Sequence, residues 1–185
     1  MSDPATPALD RAEPDRLVPA HERQPLPFDP IEEAARLWSE HWGELPRMRA
    51  VTSLMRVHQL VLIELDELLR PLGLTFARYE VLVLLSFSRR GALPLGKIGR
   101  RLQVHATSVT PLVKRLEASG LISRRRHPED GRAVLAAITP QGREVMEQAT
   151  TAILEAKFAL GSLTEDACDQ LTHLLTPPRA AAGDF

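Results

Sequence analysis

Hydrophobic side chains recur at helical spacing over most of this chain, and the longest regular run lies at about residues 47–70. Its apolar or semi-apolar positions are alternately four and three residues apart, which is a heptad-like pattern. These positions are Val51, Met55, His58, Leu62, Leu65 and Leu69. A helix of this length spans about 35 Å, more than the core of a small domain requires, so we expect a partner subunit to cover part of it.

A shorter helix is predicted before this long one. Asp29 followed by Pro30 is typical of an N-cap and a first helical residue, and Gly43 and Pro46 end the pattern. The first 30 residues hold seven of the fifteen prolines and almost no apolar periodicity. Residues 1–29 are therefore predicted to be an extended or disordered tail.

Three further helices are predicted between residues 75 and 120. The apolar run that begins at Thr75 exceeds the usual length of a strand, which favours a helix. Two short amphipathic helices follow, separated by the break QVHA, and Gly120 is expected to cap the second. Two short helices joined in this way are typical of a helix-turn-helix.

A β-hairpin is predicted directly after the helix-turn-helix. Residues 121–126 and 132–138 would form its two strands, and HPEDG would form its turn. The predicted fold class is therefore mainly α with a small β-hairpin, arranged as a winged helix-turn-helix.

Two more helices are predicted after the hairpin. Thr139 and Pro140 are typical of the start of the first, and Thr164 followed by two acidic residues is typical of the start of the second. Because both ends of the chain then carry helices with excess apolar surface, we expect a two-fold symmetric homodimer.

Charge is strongly segregated along the chain, although the formal net charge is only -1. Residues 89–132 contain eleven Lys or Arg and three acids, a local net of +8, which leaves a net of -9 for the remainder. Such segregation indicates a segment that binds a polyanion, and a solvated basic face is the alternative. The order of the predicted elements favours nucleic acid.

Several classes of protein do not fit the sequence. The longest unbroken apolar run is far shorter than a membrane-spanning helix needs, no secretory signal is visible, and a single cysteine excludes an internal disulfide framework. We expect a cytoplasmic protein without membrane contact. Phosphate-binding loops and metal-ligand spacings are also missing, so we expect no enzyme activity, no cofactor and no metal.

The combination of these motifs resembles the MarR family of bacterial transcription regulators. The resemblance covers about residues 51–175 and rests on a helix-turn-helix ending in RLEASGLI, a wing with DGR in its turn, and ITPQG opening a long helix. It implies a dimer of winged domains that binds double-stranded DNA at a pseudo-palindromic operator. The implied organisation is a tail at 1–29, dimerisation helices at 30–70, a DNA-binding domain at 71–139, dimerisation helices at 140–178 and a tail at 179–185.

The second helix of the motif is expected to enter the major groove with its N-terminal end first. It would present His105, Ala106, Thr107, Ser108 and Thr110 to the bases, with Lys114 and Arg115 near phosphates. Thr107 and Ser108 could instead be ordinary polar residues of a first helical turn. Pro111 lies inside this helix, so we expect either a kink or a later helix start.

The wing carries the remaining predicted DNA contacts. By the resemblance, Arg132 reaches into the minor groove and Asp130 orients its guanidinium. Arg124, Arg125 and Arg126 are expected to supply phosphate contacts from one or two of the three positions, because alternate residues of a strand point to opposite sides. Solvated charge on the outer side of the wing is the alternative for this triplet.

The resemblance also raises an effector site. The urate-responsive branch of the family has an extra N-terminal helix with a tryptophan, and that similarity implies a pocket for a phenolic or anionic small molecule. The corresponding residues here are Trp38, Trp42, His58, Tyr79 and Glu80, with glutamate where that branch has aspartate. Packing of the two tryptophans and of His58 against apolar neighbours is the favoured alternative.

A second class of function stays open at this point. A helical adaptor for protein partners, with a wing that binds nucleic acid without sequence preference, would use the same helices. Strong, salt-sensitive and sequence-specific DNA binding would exclude it.

Overall fold

The computed structural model describes residues 24–43, 46–103, 106–126 and 133–185, apart from the side chains of residues 106–108. In these ranges the helices are α1 (Pro30–Trp42), α2 (Pro46–Leu69), α3 (Phe76–Ser86), α4 (Leu95–Arg101), α5 (Ala106–Ala118), α6 (Pro140–Glu155) and α7 (Glu165–Ala181). The strands are β1 (Ala92–Pro94), β2 (Ile122–Arg126) and β3 (Val134–Ile138). The chain divides into two compact units at residues 54 and 55, within α2.

The first unit contains α1 and the beginning of α2. The side chain of Asp29 accepts a hydrogen bond from the backbone N–H of Ile31 at 2.8 Å, with Pro30 as the first helical residue, so the predicted start of α1 is confirmed. Gly43, at φ +80°, ends the helix as expected. An ion pair between Arg49 and Glu32 joins α2 to α1 inside this unit.

The second unit has one hydrophobic core, to which the end of α2, α3 to α6 and the sheet contribute. It contains Leu65, Leu69, Leu74, Tyr79, Val81, Leu82, Leu85, Ile98, Val109, Val113, Leu116, Leu121, Ile122, Ala136, Ala149 and Ile153. The last positions of the heptad-like pattern, Leu65 and Leu69, are thus covered by their own chain. Val51, Met55 and His58 from the same pattern are exposed.

The sheet has three antiparallel strands in the order β1-β3-β2. The β2-β3 hairpin was predicted, whereas β1 was not, so the fold class is confirmed with one strand added. Three residues that end in a proline give no strand signal by themselves. They form a strand because the outer edge of β3 offers unpaired backbone groups, and the N–H of Ile138 continues the pairing by donating to the carbonyl of Gly91 at 2.9 Å.

Helix α5 runs from Ala106 through Pro111 to Ala118 without a break, so a start after Pro111 is wrong. Pro111 is the sixth residue of the helix and lacks the N–H that would bond the carbonyl of Thr107. Val109, Val113 and Leu116 on the opposite side are almost fully buried, and their burial offsets the missing hydrogen bond.

The two C-terminal helices begin where the sequence predicts. Thr139 accepts from the N–H of Gly142 at 3.0 Å at the start of α6, and Thr164 accepts from Ala167 at 3.2 Å at the start of α7. Helix α7 continues through Pro177 and Pro178 to Ala181, three residues into the predicted tail. It has no buried residue in the single chain.

Candidate nucleic-acid interface

Helix α5 places one side in the core and the other in solvent. Val109, Val113 and Leu116 form the buried stripe, while Thr110, Lys114 and Arg115 are exposed. Ala106, Thr107 and Ser108 form its first turn, and their side chains are outside the described structure, as is His105. The second helix of the predicted helix-turn-helix, which we call the reading helix, is therefore present as α5 and presents hydroxyl and cationic groups to solvent.

The wing presents three consecutive arginines on β2. Arg124, Arg125 and Arg126 are all exposed along the strand. Their cross-strand neighbours on β3 are Ala136, Leu135 and Val134, respectively. Arg132, the predicted minor-groove contact, and Asp130, predicted to orient it, lie outside the described residues.

Arg124 differs from its two neighbours because it has an acidic partner on α5. Its Nε and Nη2 atoms donate to Oε2 of Glu117 at 2.6 and 2.5 Å. The two side chains are about equally exposed, at 32% and 34%. The sequence does not predict this ion pair, because nothing in the spacing of residues 117 and 124 indicates a contact between a helix and a strand.

The junction between α5, the wing and α6 is tightly bonded. Gly120 has φ +72°, and the N–H of Leu121 donates to the carbonyl of Leu116 at 3.0 Å, as in a helix cap. Thr139 then donates twice, from its N–H to the carbonyl of Leu121 at 3.1 Å and from its hydroxyl to the carbonyl of Gly120 at 2.8 Å. The base of the wing is thereby joined to both helices.

Gly142 allows α6 to approach this junction closely. A Cβ atom at Gly142 would lie 2.0 Å from the carbonyl oxygen of Leu121 and 3.0 Å from the side chain of Ile138. Only glycine fits this contact without movement of the backbone. Gly142 is the glycine of the ITPQG motif, and this close contact explains why a glycine stands there.

Further cations surround the helix-turn-helix. They are Arg89, Arg90, Lys97, Arg100 and Arg101, all exposed. In the turn after α4, Gln103 donates to Asp184 from the C-terminal end of the chain, which also accepts from Arg179 at 2.7 Å. The hydrogen bonds from Arg179 and Gln103 hold the pKa of Asp184 below its usual value.

The residues predicted for an effector pocket occupy different environments. In the first unit, the rings of Trp38 and Trp42 are 4.8 Å apart, with Trp38 partly buried and Trp42 exposed. In the second unit, His58 is exposed, and buried Tyr79 shares a hydrogen bond with the hydroxyl of Thr150 at 3.0 Å. Partial burial raises the pKa of the Glu80 carboxyl above its usual value.

The described residues contain neither a cluster of metal ligands nor a helix that could cross a membrane. No group of three or more His, Cys, Asp or Glu side chains in these ranges could hold a metal ion. Among the helices described above, none combines the length and the apolar character that crossing a membrane requires.

Comparison with known proteins decides the family. The sequence profile of the MarR family matches residues 74–134. A MarR family transcriptional regulator of known structure from Streptomyces coelicolor is 51% identical, with a TM-score of 0.72, over 76% of this chain and 98% of that one. The chain belongs to the MarR family of transcriptional regulators.

Two sequence relatives of the chain agree with this assignment. The HTH-type transcriptional repressor MdtR of Bacillus subtilis is 30% identical over 132 residues, 70% of this chain and 83% of that protein. The organic hydroperoxide resistance transcriptional regulator of Bacillus subtilis is 38% identical over 82 residues, 44% of this chain. This second match spans only 54% of the relative's length.

One structural relative of this MarR family chain contains a small molecule. It is CouR from Rhodococcus jostii bound to p-coumaroyl-CoA, 25% identical, with a TM-score of 0.58, over 66% of this chain and 85% of that one. The Streptomyces coelicolor protein and the two Bacillus subtilis relatives are transcriptional regulators. The predicted resemblance to the MarR family and the predicted class, a DNA-binding regulator, are thereby confirmed.

Proposed function

We propose that this chain is a homodimeric transcriptional repressor that binds a pseudo-palindromic operator and is released by a small phenolic or anionic ligand. The observation that carries the proposal is the joint cationic surface of α5 and β2, which lie side by side with their Lys and Arg residues in solvent. The name of the MdtR relative supports repression rather than activation. Such a repressor acts on chromosomal DNA, hence in the cytoplasm.

Helix α5 is the proposed major-groove element. Its buried stripe fixes its orientation, and the exposed Thr110 and Lys114 are one turn apart on the outer side. Residues 105–108 would meet base edges, while Lys114 and Arg115 would meet phosphates. Pro111, exposed in the middle of the helix, adds apolar surface next to these positions.

The wing is the proposed minor-groove element. A guanidinium on a narrow hairpin fits a groove about 6 Å wide, and A·T tracts strengthen the attraction. Arg132, oriented by Asp130, is the proposed minor-groove contact. Arg125 and Arg126 are exposed on β2 and would meet the adjacent phosphates.

Dimerisation is supported by apolar side chains that a single chain leaves in water. They lie on α2 and α7 and comprise Val51, Leu54, Met55, Val57, Leu60 and Leu174, each between 38% and 74% exposed. Large apolar residues at helical spacing and in such numbers are typical of a protein interface. A two-fold dimer would cover them and would place two α5 helices on successive half-sites.

The proposed effector is a small molecule that releases the protein from its operator. The ligand of CouR supports a phenolic, anionic molecule as the class to test first. Trp38, Trp42, His58 and Glu80 are the residues proposed to meet it. Tyr79 is the fifth proposed residue, and its hydroxyl shares a hydrogen bond with the hydroxyl of Thr150.

The test is fluorescence anisotropy with duplex DNA from the upstream region of the protein's own gene, at two salt concentrations and with scrambled competitor. We expect saturable binding that survives the competitor and weakens with salt. Arg132→Ala should weaken binding by about 1–3 kcal/mol, and Arg125→Ala should weaken binding to all sequences alike. Arg36→Ala is the matched control, because Arg36 is an exposed arginine of α1 that pairs with Glu33 and Glu40.

The result that would contradict the proposal is binding that is indifferent to sequence, or unchanged affinity in Arg132→Ala. Indifference to sequence would instead favour the helical adaptor with a non-specific wing.

A further inference from the structure

We propose that Arg124 is a positioning residue whose ion pair with Glu117 holds the wing against the reading helix α5, and that it does not contact DNA phosphate. The inference rests on the proposed function, since it concerns how the wing is aimed at the duplex. It separates Arg124 from Arg125 and Arg126, which have the same charge on the same strand.

The geometry of the Arg124–Glu117 ion pair restricts the movement of both side chains. Two nitrogen atoms of the Arg124 guanidinium donate to one carboxylate oxygen of Glu117, at 2.6 and 2.5 Å. Charge-assisted bonds of this length are the stronger kind, and two donors on one acceptor restrict the rotation of the guanidinium. Neither Arg125 nor Arg126 has an ion pair within the described ranges of the chain.

The side of the strand explains why Arg124 pairs and Arg125 does not. Alternate residues of a strand point the same way, so Arg124 shares its side of β2 with Ile122, which is buried in the core at 2% exposure. Its cross-strand neighbour is Ala136, whose methyl group leaves room for a long side chain to extend toward α5. Arg125 points to the opposite side.

Electrostatics gives the pair a second effect. Glu117 is the single acid among residues 89–126, so its carboxylate is an isolated negative charge within the basic segment. Unpaired, it would repel the DNA backbone at the end of the reading helix. Arg124 neutralises it, so the loss of Arg124 both releases the wing and exposes a repulsive charge.

Both side chains are about one-third exposed, and ion pairs at such sites contribute little to folding stability. Variants of the pair are therefore expected to fold, and thermal unfolding followed by circular dichroism checks this. Arg124→Lys keeps the charge and serves as a second variant if Arg124→Glu is unstable.

The experiment measures the dissociation constant and its salt dependence for a duplex selected by the wild-type protein from a random-sequence pool. The variants are R124E, R124Q, E117R and the charge-swapped double variant E117R/R124E. R125E, R125Q and E117R/R125E are the matched controls, because Arg125 lies next to Arg124 and faces away from Glu117.

We expect R124E to bind with a higher dissociation constant than wild type. In E117R/R124E the opposite charges meet again, so the dissociation constant should return to within about threefold of the wild-type value. The double variant should keep the wild-type salt slope. R125Q should reduce the salt slope by about 0.9, as expected for one lost phosphate contact. E117R/R125E should bind no better than R125E.

Two results would overturn the inference while the proposed function stands. One is a charge-swapped variant that binds no better than R124E. The other is a reduction of the salt slope in Arg124→Gln equal to that in R125Q. If the wild-type protein selects no duplex from the pool, the proposed function fails and the inference fails with it.

Discussion

Replacement of Gly142 by alanine should destabilise the protein at the junction between the wing and α6. The added Cβ would lie 2.0 Å from the carbonyl oxygen and 2.9 Å from the carbonyl carbon of Leu121, and both atoms belong to the backbone. A relaxed contact needs about 3.4 Å or more, so α6 or the base of the wing has to move by roughly 1.4 Å. Overpacking of this kind costs about 1–3 kcal/mol.

A further cost comes from the hydrogen bond at the same carbonyl. Leu121 accepts there from the N–H of Thr139 at 3.1 Å, and loss of such a bond costs about 0.5–1.5 kcal/mol. The expected total is about 1.5–4.5 kcal/mol. For a chain of this size, that lowers the melting temperature by about 3–18 °C.

Gly96→Ala is the matched control for Gly142→Ala. Gly96 is also a helical glycine, but a Cβ there would meet nothing within 4 Å. The substitution should stabilise by about 0.4–1 kcal/mol because it restricts the unfolded chain. Thermal unfolding followed by circular dichroism measures both variants. A Gly142→Ala protein that melts at or above the wild-type temperature, or two variants that shift alike, would refute the steric argument.

Two other predictions concern the dimer and the titration of a half-buried acid. Leu174→Glu should give monomers by light scattering without loss of helix content, because Leu174 is 74% exposed in the single chain, and Thr172→Glu on the opposite side of α7 should stay dimeric. A dimeric Leu174→Glu protein would place the interface elsewhere. Burial raises the pKa of the Glu80 carboxyl in the folded protein, so stability falls as the pH rises above the ordinary value of about 4.3, and the loss is complete above the raised pKa. Glu80→Gln should therefore raise the melting temperature at about pH 7 and lose this advantage at about pH 4, where the wild-type carboxyl is protonated. An equal gain at both values would contradict burial as the cause.

Helix starts were predictable from the sequence because their determinants are local. Asp29, Thr139 and Thr164 each bond an N–H two or three residues away, so spacing alone indicates them. The order of helix-turn-helix, hairpin and long helix was predictable for the same reason. It was sufficient to indicate the family.

Contacts between distant elements were not predictable in this way. The heptad-like pattern cannot show that Leu65 and Leu69 are covered by their own chain, because a helix has the same spacing whether its partner is internal or external. Strand β1 exists because β3 has a free edge, and the partner of Arg124 depends on how close α5 and β2 lie. The proposed base contacts of residues 105–108 and the effector site stay predictions.

Thr139 has a consequence for the construction of chimeric regulators. Its hydroxyl is a donor to Gly120, before the wing, and an acceptor from Gly142, after it. In a chimera between two relatives, the hairpin and the first turn of α6 should therefore be replaced together. A wing transplanted alone would leave one of these bonds to be made by a foreign backbone, whereas residues 116–142 can be exchanged as one cassette.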